Sequence, residues 1–120
     1  MAKLARLKKT SEYRRVYKSG KLFKNGPLWA YFLPAPGEQI STGVSVSSRI
    51  IRKATERNRL KRVIKESLKR CAEDYKTGGC DIVVVVKKNI LSNRAGSLLT
   101  RATISKLLEK YNETVANKSN

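Results

Sequence analysis

The 120-residue chain contains no histidine, only nine Asp and Glu, and just two cysteines. Each scarcity removes a class of chemistry. Without histidine, general acid–base catalysis would fall to paired carboxylates or an activated thiol, and the carboxylates here are scattered. Magnesium-assisted hydrolysis by the protein itself would want clustered carboxylates, which are also missing. Cys71 and Cys80 lie nine apart with no second pair, so neither a zinc site nor a disulfide framework is indicated. Both read as buried thiols in a reducing cytoplasm. No catalytic residue, metal ligand or small-molecule substrate is expected of this chain.

Long apolar runs are absent too. The longest, "LWAYFL" (Leu28 to Leu33) and "IVVVV" (Ile82 to Val86), fall far short of the roughly 20 residues that a membrane-spanning helix needs. The opening "MAKLARLKK" is basic like the start of a signal or transit peptide, but no apolar stretch or small-residue cleavage site follows it, so it reads as part of the mature chain. No membrane association and a cytoplasmic location are the expectation.

What the chain has in excess is positive charge: 27 Lys and Arg leave a net +18. Such a surface repels itself and attracts polyanions from a distance, so nucleic acid is the leading partner. With 40% apolar content, 120 residues suit one compact domain with a single core.

Leu4, Leu7, Tyr13, Val16 and Tyr17 run through a basic segment, where Thr10 or Ser11 could cap a short helix that Gly20 ends. Trp29, Tyr31 and Leu33 alternate with smaller residues before "PAPG" (Pro34 to Gly37) stops a strand. Val44 and Val46 alternate with Ser45 and Ser47, a half-buried strand whose hydroxylated face suits the floor of a groove. A long helix is expected from about Arg52 to Tyr75, closed by "TGG" (Thr77 to Gly79). "DIVVVV" (Asp81 to Val86) has no alternation and reads as a central strand covered on both faces. Leu98, Leu99, Ala102, Ile104, Leu107, Leu108 and Tyr111 then mark a last amphipathic helix. The expected fold is α+β, an α/β sandwich of three helices on a small mixed sheet of about four strands, in the order αβββαβα. Residues 1–9 are expected to be a flexible basic arm and residues 113–120 a flexible polar tail.

The long helix carries the sharpest signal. Leu60, Val63, Ile64, Leu68, Cys71 and Tyr75 fall within an arc of roughly 140°, while Asn58, Lys61, Arg62, Lys65 and Lys69 occupy the adjacent one. Charge runs usually only solubilise a helix. Between Arg49 and Arg70, however, ten Lys or Arg stand against Glu56 and Glu66, a net of +8 that leaves most cations without i,i+4 partners. Cations in the first turns also oppose the helix dipole, which phosphates bound at that end would offset.

"SVSSRIIRKATERNRLKRVIKESL" (Ser45 to Leu68), with "RNRLKR" at its centre, resembles the signature of the bacterial ribonuclease P protein family. The likeness extends through the basic start, the aromatic strand, "GVSVS", the apolar strand and the closing helix. The resemblance implies a small α/β subunit that joins a catalytic RNA in removing the 5′ leader of precursor tRNA by endonucleolytic cleavage. It implies a left-handed crossover around the long helix, against the usual rule for parallel strands. It places Arg57, Asn58, Arg59, Lys61, Arg62 and Lys65 on ribonuclease P RNA. It places Tyr13, Tyr17, Phe23, Tyr31, Ser45, Ser47 and Arg49 in a cleft for the single-stranded leader. Tyr stands at 13 and 17 where many members carry Phe, keeping the stacking surface and adding a hydroxyl. Catalytic Mg²⁺ would belong to the ribonucleoprotein and be held mainly by RNA.

The residues make sense of those roles. Tyr13 and Tyr17, spaced i,i+4 amid Arg14, Arg15 and Lys18, offer aromatic faces and cations on one helix, as single-strand binding requires. A structural or ribosomal RNA-binding protein would share the charge without needing an aromatic groove. A membrane-surface or architectural DNA protein would rest on charge alone. An intrinsic nuclease would have to act without RNA.

Overall fold

The computed structural model describes residues 3–75, 78–88 and 96–118, with side chains described for 5–71, 78–88 and 100–114. Eight elements follow one another: β1 (Lys3–Arg6), α1 (Thr10–Ser19), β2 (Lys21–Asn25), β3 (Leu28–Pro34), β4 (Gln39–Val46), α2 (Ala54–Tyr75), β5 (Cys80–Val86) and α3 (Gly96–Lys118). The sheet has five strands rather than about four, in the order β1-β4-β5-β3-β2. The added strand is β1, where a flexible arm was expected; it lies parallel to β4, with Ala5 opposite Ser41. α3 likewise runs on to Lys118, through most of the expected tail. Leu98, Leu99 and Tyr75 lie outside the described side chains, and Thr77 outside the described residues.

β5 sits at the centre, antiparallel to β3 and parallel to β4. That position explains its unbroken apolar run, because both of its faces are covered. Ile82, Val84 and Val86 point to one side and join Leu28, Ala30 and Phe32 of β3, Leu60, Ile64 and Leu68 of α2, and Ile104, Leu107 and Leu108 of α3 in the main core. Each Val, Leu, Ile or Phe side chain among them contributes about 1.5–3 kcal/mol by burial. Val83, Val85, Tyr31 and Leu33 point to the other side, toward Val16 and Tyr13 of α1. The helices therefore lie on both faces, two on one and α1 on the other.

Local chemistry fixes the joints. β2 and β3 form a hairpin through Gly26 and Pro27, with Gly26 at φ +57°, where a side chain would be strained. α1 is capped by neither Thr10 nor Ser11. Lys9 precedes it with no side-chain cap, and the Lys8 N–H donates to Glu12 Oε2 at 3.2 Å. Gly20 ends the helix as expected, its N–H donating to the Val16 carbonyl. Backbone bonds from Ala35 N–H to the Gly79 carbonyl and from Gly79 N–H to the Gly37 carbonyl tie the β3–β4 loop to the start of β5. A Cβ on Gly79 would come within 2.6 Å of the Gly37 oxygen, so the tie needs glycine.

Candidate nucleic-acid interface

Two surfaces of different chemistry emerge, one on each layer. On the α1 layer, strand register aligns Leu22, Tyr31, Val83 and Gly43 in one cross-strand row and Lys24, Trp29, Val85 and Ser45 in the next. α1 lies over the first row. Val16 is fully buried there, and Tyr13 rests on the bare backbone of Gly43: a Cβ at that glycine would be 2.6 Å from Tyr13 Cζ. Tyr17 meets Tyr31 edge to face with centroids 5.0 Å apart, and the residue is 38% exposed. The Tyr17 hydroxyl also shares a hydrogen bond with Ser45, which ties the helix to the second row. Burial pushes the Tyr17 phenol above its ordinary range despite that bond, and the neighbouring Tyr13 and Tyr31 add to the rise. The Tyr17 phenol is thereby held in its neutral form.

A third row carries Leu33, Asp81 and Ser41. Here the exposed Arg15 of α1 reaches down to the buried Asp81, Nη2 to Oδ2 at 2.6 Å, and it is the one ion pair among the described residues. A buried carboxylate needs such a partner, and the pair anchors α1 across the sheet.

Of the residues expected in the leader cleft, Tyr13, Tyr17, Tyr31 and Ser45 are brought together. Ser47 and Arg49 lie just past the end of β4, exposed and joined by a 3.0 Å bond from the Arg49 N–H to Ser47 Oγ. Phe23 is not part of the group. It pairs with Ala30, so it shares that residue's core-facing side, and its ring meets Phe32 and Tyr111 edge to face at 5.5 and 6.3 Å. The hairpin register sets that parity, which an isolated five-residue stretch does not reveal. Conversely, Trp29 lies outside the expected set yet shares the face of Tyr31, and its alternation with Tyr31 along β3 is the signal in the sequence that marks it.

On the other layer, α2 buries Leu60, Ile64, Leu68 and Cys71, while Asn58, Arg59 and Arg62 are exposed and Lys61 and Lys65 half-buried. Arg57 is different. Its Nη1 donates to the carbonyls of Ile51 at 2.8 Å and Arg52 at 2.7 Å, folding the segment before α2 against the helix. Part of its fork is therefore committed to the chain's own backbone. Ser67, buried on the same helix, returns its hydroxyl to the Val63 carbonyl at 2.8 Å. Between β1 and α2 a cavity of about 320 Å³ is lined by Ala5, Arg6, Thr42, Lys65, Glu66 and Lys69. Burial lowers the Lys65 pKa, and the nearby Arg6 and Lys61 add to the fall.

Residues 47–53 lead from the end of β4, next to Ser45 on the first surface, to the start of α2, which carries the second. Among the described residues, no group of three or more His, Cys, Asp or Glu could hold a metal, and no helix is long and apolar enough to cross a membrane. An aromatic groove on one layer and an uncompensated cationic helix on the other define a basic α+β protein of the RNA-binding class.

Comparison with known proteins narrows this. The family profile for ribonuclease P matches residues 1–112. The ribonuclease P protein component of Caldanaerobacter subterraneus is 36% identical over 108 residues, covering 90% of each chain. That of Clostridioides difficile is 40% identical over 81 residues, covering 68% of this chain and 70% of its own. The solved ribonuclease P protein of Thermotoga maritima superposes with a TM-score of 0.76 at 27% identity, covering 88% of this chain and 96% of that one. The chain belongs to the ribonuclease P protein family, whose role is in processing the 5′ ends of transfer RNA.

Proposed function

We propose that this protein docks on ribonuclease P RNA through α2 and the segment before it, and holds the 5′ leader of precursor tRNA across the α1 face. The observation that carries this reading is the presence of two unlike surfaces, one aromatic and one cationic, linked directly through residues 47–53. A folded RNA presents phosphates, which Arg59, Lys61, Arg62 and Lys65 can neutralise. A single strand presents base faces, which Tyr17 and Tyr31 can meet, and hydroxyls or phosphates within reach of Ser45, Ser47 and Arg49. Arg57 acts mainly by shaping the N-terminal approach to α2, with its remaining N–H groups free for phosphate.

Cleavage itself belongs to the RNA in this scheme. RNA holds the catalytic Mg²⁺, and the protein lowers phosphate repulsion and fixes the leader's path in the cytoplasm. The test is cleavage of precursor tRNA by purified protein with and without a bacterial ribonuclease P RNA, at low Mg²⁺ and moderate salt. Protein alone should be inert, the mixture should release an intact leader, and an Arg59→Ala/Lys61→Ala variant should lose the gain. A protein that never stimulates the RNA defeats the reading.

A further inference from the structure

Trp29 is the chain's single tryptophan, and it belongs to neither apolar cluster. It is half-buried on the α1 face, in the row beyond the one that α1 covers. Its ring carries two ammonium groups: Lys24 Nζ lies 4.1 Å and Lys87 Nζ 4.3 Å from the centroid. The lysines come from opposite sides, Lys24 from the paired position on β2 and Lys87 from just past the end of β5. Neither has a carboxylate partner among the described residues.

We infer that Trp29, flanked by Lys24 and Lys87, is a second base-stacking platform for single-stranded RNA, one step beyond the Tyr17–Tyr31 pair; this rests on the proposed leader path. Tyr31 and Trp29 are two residues apart on one face of β3, so their side chains rise about 6.6 Å apart along the strand. Sheet aromatics set out in this way stack successive bases in RNA-recognition domains. A base arriving on the indole face displaces an ammonium, and a freed lysine is then beside the phosphates flanking that base. Stacking and charge pairing thus use the same three side chains, which suits an extended strand and not a duplex whose bases are already stacked.

The sole tryptophan reports on itself. The full-length protein is titrated with oligouridylate of about eight nucleotides and separately with duplex RNA, following indole emission. The single strand should quench emission saturably and the duplex should not. Trp29→Leu should weaken oligouridylate binding about tenfold, Trp29→Phe should retain most of it, and neither should alter affinity for ribonuclease P RNA. Unchanged emission at saturation, or full affinity in Trp29→Leu, overturns the inference. If Trp29→Leu is poorly folded, Lys24→Gln/Lys87→Gln in the native background should keep the quench and reduce its salt dependence. An unaltered salt dependence counts against the lysines' role. Failure of the RNA-stimulated cleavage with the quench intact removes the leader assignment but leaves the platform.

Discussion

Tyr13 occupies the space that a side chain at Gly43 would need, its Cζ 2.6 Å from where that Cβ would stand. The ring and the glycine form one fitted contact between α1 and the sheet. Gly43→Ala should push the ring out and cost about 1–3 kcal/mol of stability by overpacking. Tyr13→Ala combined with Gly43→Ala should cost less than the sum of the two, because the clash disappears with the ring. Denaturant melts of the three variants measure this, and strict additivity would refute the contact.

Arg57 and Arg62 sit five residues apart on α2 and should behave oppositely. Arg57→Lys keeps the charge but cannot span the Ile51 and Arg52 carbonyls in the same way, so stability should fall by about 1–3 kcal/mol. Arg62→Gln, at an exposed position, should change stability by less than about 0.5 kcal/mol, yet reduce the salt slope of RNA binding by about one. Melts and binding isotherms at several KCl concentrations separate the two roles.

Removing Arg15 strands the buried Asp81 carboxylate. Arg15→Ala should cost about 1–3 kcal/mol, toward the lower end because the guanidinium is largely exposed to water. The double variant Arg15→Ala/Asp81→Ala should recover part of that loss. If Arg15→Ala melts like the native protein, the pair does not anchor α1.

Tyr111 supplies a pH signature. Its ring stacks on Phe32 with centroids 4.5 Å apart, and burial, with a smaller contribution from Cys80, pushes its phenol from 10.0 to about 12. The neutral form is favoured in the folded state. The unfolded chain therefore releases this proton first as pH rises, and the stabilisation present below pH 10 is lost between about 10 and 12. The check is a comparison with a variant that lacks the hydroxyl: Tyr111→Phe should show a shallower fall in melting temperature across this window. Equal slopes would contradict the assignment.

Much of this architecture is legible in the residues. The unbroken Ile82–Val86 run marks a strand covered on both faces, and the Leu60, Ile64, Leu68 stripe fixes which side of α2 packs. β1 is not legible, because "KLAR" is a four-residue edge strand with basic side chains whose pairing with β4 is a long-range event. The far end of α3 escapes for a related reason: past Tyr111 the polar sequence "NETVANK" has no apolar stripe to announce a helix. In the candidate site, alternation marks the strands that carry Tyr31 and Ser45, and the family resemblance assigns them to the cleft together with Phe23; the hairpin register that turns Phe23 to the core can be read only once Gly26 and Pro27 have closed.

β3 and β4 follow each other in the chain yet are not neighbours in the sheet, since β5 inserts between them. During synthesis the first half of the protein therefore emerges as two separate pieces, a β2–β3 hairpin and a β1–β4 pair, with a vacant central slot. Only when residues 80–86 leave the ribosome can the pieces join, and that closure must span the whole of α2. A nascent chain stopped short of β5 has no continuous floor on which α1 could set its aromatic rings. Completion of the aromatic face beneath α1 is thereby timed to the last third of translation.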